Sequence, residues 1–250
     1  MSNFLVMAWL LSLGFVPNSS LETKGVSIQA SDYLVQTLGV GFYLADHIGV
    51  YSSVEIQETK SHGVYFDPFR SDFLIGGEVY FKSLSIGVSH ECDHDIVTGI
   101  NFHDYNGWES SFEKAYINYF LPVRAASGIT ITPSITLADQ FTERVRIKSS
   151  DKKHYFDRIG SNVSPNIFIP EFGLEIECLC LRSRAAFQAG YAIHKHEWAH
   201  NQFKLGAELF YKNISLGVDY TNRKNKQEKG GYSLESLTLF VLFRGESSLL

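Results

Sequence analysis

The chain predicts an all-β fold, an antiparallel up-and-down barrel of about twelve strands. Three observations predict it. Leu84, Ile86 and Val88 alternate with Ser85, Gly87 and Ser89, and this period of two returns in strand-length blocks almost to the C-terminus. Connections alternate between short and long. Ionisable residues of both signs fall on the face opposite the aliphatic side chains.

Composition narrows the class before any motif is read. The 250 residues suit one larger all-β domain, and no Pro/Ser-rich linker divides them. A net charge of -5 leaves no basic footprint for nucleic acid, and no long apolar helix is present to span an inner membrane. With 19 Phe and 13 Tyr against 6 Pro and 2 Met, the chain favours strands and, at a membrane, aromatic girdles.

At the N-terminus an apolar run from Phe4 to Val16 precedes Pro17, Asn18, Ser19 and Ser20. Its length predicts a signal peptide over residues 1–20, export, and a barrel domain over 21–250. Since no Lys or Arg precedes the run, a buried first strand or helix is the competing reading. Three cysteines, Cys92, Cys178 and Cys180, make no disulfide framework and read as apolar wall residues.

Strands are expected at Thr23 to Ala30, Tyr33 to Leu44, Ile48 to Ile56, Phe73 to Phe81, Leu84 to Cys92 and Ala115 to Leu121. They continue at Ile129 to Leu137, Leu174 to Cys180, Ala185 to Ile193, Phe203 to Tyr211, Ile214 to Tyr220 and Leu237 to Phe243. Short links fall at Ala45-Asp46, Lys82-Ser83, Pro122 to Ser127, Arg182-Ser183 and Lys212-Asn213. Long polar ones fall at Thr59 to Arg70, Asp93 to Ser110, Gln140 to Pro170, Lys195 to Gln202 and Asn222 to Gly231. Short periplasmic turns and long extracellular loops are the asymmetry of transmembrane barrels, and the even strand count returns both termini to the periplasmic end.

Alternation then assigns the faces. Leu84, Ile86, Val88, Ile131, Leu205, Leu216 and Leu239 point one way, whereas Glu78, Glu91, Lys114, Glu175, Glu177, Arg184, Gln188, Lys204, Glu208 and Asp219 point the other. Charges of both signs are costly in an apolar core and natural in a wet lumen. A soluble periplasmic barrel that binds a ligand, with the two faces reversed, is the alternative.

Over residues 22 to 243, ending on the strand Leu237, Leu239, Val241, Phe243, the chain resembles the small outer-membrane β-barrel proteins of diderm bacteria, which usually end on an aromatic residue. Here Arg244 to Leu250 continue past it. The resemblance implies a cell outer-membrane location and outer-membrane lipid as a partner.

Two constellations carry chemistry. His90-Glu91-Cys92-Asp93-His94-Asp95 sets a base and a thiol two residues apart on the outward row. The pair is similar to the His-x-Ser of outer-membrane phospholipase A, with Cys92 in place of serine, and implies acyl-ester cleavage by His90 and Cys92. Asn101 and Asn106 are the candidates for that family's orienting asparagine. Asp93, His94 and Asp95 alternatively offer ligands to calcium or a transition metal, or form a solvated rim. In the second constellation His194 precedes His196-Glu197-Trp198-Ala199-His200, which matches the zinc motif H-E-x-x-H. That motif needs a helix, and the flanking segments alternate like strands, so a zinc peptidase is the weaker reading and a histidine-rich loop the stronger.

The expected role is a non-enzymatic narrow pore, or a surface-exposed module binding a small solute or extracellular ligand, as a monomer or homodimer. No cofactor is required unless calcium or zinc occupies those clusters. The alternative is a lipid hydrolase.

Overall fold

A computed structural model describes residues 5–17, 20–23, 26–29, 33–44, 47–61, 64–95, 108–147, 158–160, 167–193, 197–225 and 232–248. All of its regular elements are strands: β1 (Leu5–Val16), β2 (Ser20–Thr23), β3 (Val26–Gln29), β4 (Tyr33–Leu44), β5 (Ile48–Ser61), β6 (Val64–Phe81), β7 (Leu84–Asp95) and β8 (Trp108–Phe120). They continue as β9 (Val123–Ala126), β10 (Ile129–Ile147), β11 (Arg158–Gly160), β12 (Ile167–Cys178), β13 (Leu181–Ala192), β14 (Glu197–Tyr211), β15 (Ile214–Asn225) and β16 (Tyr232–Ser248).

Twelve of these form an antiparallel ring in the order β1-β4-β5-β6-β7-β8-β10-β12-β13-β14-β15-β16. Pairing of β1 with β16, from Val6 opposite Ser248 to Phe15 opposite Leu239, closes it. Closure gives each of the twelve ring strands a neighbour on both sides. The remaining strands decorate the ring: β2 and β3 form a hairpin on the Tyr232 end of β16, while β9 and β11 pair with β10.

Large apolar side chains cover the outside. Leu38, Val50, Ile75, Val88, Leu209 and Leu216 are each half or more exposed, and they come from strands all round the ring. A belt of this extent belongs in hydrocarbon. Tyr119 and Tyr211 on one rim and Trp198 on the other are exposed where aromatic girdles sit. A closed barrel is the one sheet that can cross a bilayer, and the chain is accordingly a multi-pass transmembrane β-barrel.

Three sequence expectations need correction. The run Phe4 to Val16, read as a signal peptide, contains β1, hydrogen-bonded to β4 on one side and β16 on the other. Trp9, Leu11 and Leu13 point out, while Leu10 reaches the space over Gly39 inside and Val16 is buried. A strand whose inner face is also apolar reads as an unbroken greasy run, indistinguishable by composition from a leader. Conversely, the described residues of 23–30, read as a barrel strand, belong to the small β2–β3 pair off β16 and not to the ring.

The third correction concerns loops. Residues 59–70, read as a long loop, lie almost wholly in β5 and β6, whose ladder runs on to Ser61 opposite Val64 with bulges after Gln57 and Thr59. Likewise β10 extends to Ile147, β14 starts at Glu197 and β15 runs to Asn225. Beyond the lipid both sheet faces are wet, so backbone pairing continues while the apolar alternation stops. At the opposite rim the turns are tight. Lys82, Leu179 and Lys212 each take a left-handed conformation, φ 54°, 53° and 52°, which suits two-residue hairpins. The turn expected at Arg182-Ser183 is therefore at Leu179-Cys180, and Arg182 belongs to β13.

Candidate functional site

Inside the ring the polar side chains form two walls. The first spans β4 to β8. Tyr43, Tyr51, Tyr80 and Tyr116 face inward around Glu78, and each ring lies over glycine backbone: Tyr51 over Gly76, Tyr116 over Gly87, Tyr43 over Gly41 and Gly49. A side chain at Gly76 or Gly87 would strike the ring, so the small residue and the aromatic make one unit. The Tyr116 hydroxyl donates to Glu78 Oε2 at 3.3 Å and lies 3.0 Å from that of Tyr51. Tyr80 also donates to Glu78. Tyr43 and Tyr80 lie 6.4 Å apart between centroids with their rings tilted at 47°. One rung further, Lys114 Nζ pairs with Glu91 Oε1 at 3.0 Å.

The second wall spans β12 to β16 and is built from arginine and carboxylate. Arg182 donates to Glu208 Oε1 at 2.8 Å through Nη1 and to Glu177 Oε2 at 2.7 Å through Nη2, with Glu175 Oε1 3.7 Å from Nε. Arg244 Nη2 reaches the same Glu208 oxygen at 2.9 Å and donates to Ser215 Oγ at 3.0 Å. Glu208, only 4% exposed, thus lies between two guanidiniums. Arg184 pairs with Asp219 at 2.9 Å. Charge-assisted contacts of this kind are the stronger class of hydrogen bond. Between the walls lies a small apolar patch of Ala138, Ile167 and Ile169, with Tyr116 packed against it.

The expected lumen residues Glu78, Glu91, Lys114, Glu175, Glu177, Arg184, Lys204, Glu208 and Asp219 occupy strand positions opposite the exposed belt. Sequence reading missed Arg182, taken for a turn, Arg244, taken for a tail, and the four tyrosines. Their signal was present as register: Arg182 shares parity with Arg184, and Arg244 with Phe240 and Leu242.

His90 and Cys92 lie on the outward row of β7. His90 Nδ1 is 3.3 Å from Glu113 Oε1 on β8, a partner 23 positions away that spacing could not reveal. Cys92, Cys178 and Cys180 form no disulfide, and Cys180 is exposed in its turn. Asn101, Asn106, His194 and His196 lie outside the described residues, as do the side chains of Asp93, His94, Asp95 and Glu197. Glu197 and His200 are in strand β14, so the helical spacing required by H-E-x-x-H is absent there. His200 is buried against Gly190 on the neighbouring strand. Among the described residues no group of three His, Cys, Asp or Glu side chains could hold a metal.

No protein family and no curated protein matches the chain. Its fold is similar to that of solved barrels. A KdgM porin in complex with disordered oligogalacturonate is 8% identical with a TM-score of 0.45, over 93% of this chain and 98% of that one. The Pseudomonas putida toluene transporter TodX is 9% identical with a TM-score of 0.40, over 95% and 89%. The CymD monoaromatic hydrocarbon channel is 7% identical with a TM-score of 0.41, over 97% and 89%. These likenesses extend to the fold alone.

Proposed function

We propose that the barrel is a narrow, non-enzymatic pore for small polar solutes across the outer membrane. The supporting observation is how the lumen charges are neutralised. The ion pairs named above lie within one wall or the other, so each wall satisfies its own charges laterally and leaves the axis to water and solute. Tyrosine hydroxyls and carboxylates facing the axis offer exchangeable hydrogen bonds to a passing polar molecule. Reconstitution into planar bilayers is the test. Stepwise conductance supports the pore, and its absence from properly folded protein removes it, leaving a surface module that binds without transporting.

A second reading is favoured by one observation, the Glu113 carboxylate holding His90 in place on the outer wall. A base so oriented could take the proton of Cys92, whose thiolate attacks a lipid ester carbonyl. The alkoxide leaves with that proton, and water hydrolyses the thioester. Release of fatty acid from phospholipid, abolished by Cys92→Ala, is its signature.

A further inference from the structure

One row of the outer face departs from the aliphatic belt. Register aligns Val50, Gly77, Val88, Ala115, Asp139 and Phe168 across six neighbouring strands. Gly77 and Ala115 are small where the row on one side carries Val79, Ile86 and Ile117. Their missing bulk leaves a groove of about 780 Å³ running across the strands. On its other side lie His90 and Glu113, opposite each other in register. Asp139 stands at one end of the groove.

The carboxylates there are unusual. Glu113 Oε2 and Asp139 Oδ1 are shielded from solvent and have no hydrogen-bond partner among the described residues. A shielded carboxylate oxygen without a donor is costly, and a wall facing lipid can obtain the donor only from what covers it. Asp139 pairs with Ala115, two residues beyond Glu113 on the same face. Diagonal neighbours of this kind sit about 7–8 Å apart, a gap that one ammonium group between them can bridge.

We propose that this groove binds a phospholipid with an ammonium headgroup, of the phosphatidylethanolamine type. One acyl chain lies over Gly77 and Ala115, and the ammonium donates to Asp139 and Glu113. An anionic headgroup would meet two carboxylates. A second copy of the chain, packed about a two-fold axis, would bring the same carboxylates against themselves. The proposal is independent of the pore reading, because it concerns only the outer surface.

Native mass spectrometry of the detergent-purified barrel, offered equal amounts of phosphatidylethanolamine and phosphatidylglycerol with matched chains, tests it. Wild type is expected to retain the ethanolamine lipid roughly fivefold or more over the glycerol lipid, a modest charge-assisted preference. Glu113→Gln with Asp139→Asn should erase the preference while lipid retention persists. Gly77→Leu with Ala115→Leu should reduce retention of both. Equal retention by wild type overturns the proposal, as does a preference that survives in the carboxamide variant. Dimers that disappear when the groove is filled would likewise overturn it, in favour of a second copy. The wild-type comparison decides even if a variant fails to fold, and heat-modifiable migration on gels reports folding of each variant.

Discussion

The two lumen walls solve the same problem with different chemistry. On the β4–β8 wall, Glu78 is held by neutral tyrosine hydroxyls, so its negative charge stays available to the lumen. On the β12–β16 wall, Glu208 is sandwiched by Arg182 and Arg244, and its charge is spent within the wall. Hydrogen bonding by neutral donors orients a carboxylate without cancelling it, whereas guanidinium pairing fixes structure and cancels the field. One wall is therefore suited to meeting solute and the other to holding the barrel's shape.

The most severe way to break this contrast is to separate the walls. β1 joins them along one side, through β4 and β16, and deletion of residues 5–16 should abolish the heat-modifiable folded band and insertion into membranes altogether. Edman sequencing of membrane-extracted protein should accordingly recover Leu5–Val16; a mature protein beginning near Leu21 would refute the placement of β1. Next in size is Glu208→Ala, which takes a buried carboxylate from two guanidiniums at once, leaving Arg182 with Glu177 and Arg244 with Ser215. It should cost about 2–4 kcal/mol in urea unfolding from lipid vesicles and leave the sign of ion selectivity unchanged. Glu78→Gln sharpens the comparison from the other side. Its stability should change by less than about 1 kcal/mol, while the reversal potential under a salt gradient moves toward anions. An equal stability loss in the two variants would erase the distinction between walls. Smallest is Tyr51→Phe, which removes one hydroxyl contact to Tyr116 and should cost about 0.5–1.5 kcal/mol by the same unfolding assay.

How much of this was legible follows from range. The facing of Leu84, Ile86 and Val88, and the closed twelve-stranded barrel they announce, rest on alternation inside single strands, a local signal. The face of Glu78 or Arg184 follows from the same count. Partners are not local. Arg182 meets Glu208 26 positions away, and His90 meets Glu113 23 away, contacts set by register between strands. The reach of β5 and β6 beyond the belt was also hidden, because a ladder in water needs no apolar face. β1 was hidden for the opposite reason, having apolar residues on both faces.

The seam between β1 and β16 also sets the order of assembly. Val6 finds its partner at Ser248, almost the full chain length away. Every other neighbouring pair in the ring joins strands close in sequence and can zip as its hairpin emerges, but this last pairing waits for the far end of the chain. Until then the ring strands from β1 onward form an open sheet with two bare margins and a greasy back, a state prone to sticking to its own kind. Loss of β16 should therefore leave not a smaller barrel but an aggregate, which sedimentation of the truncated chain after refolding would show.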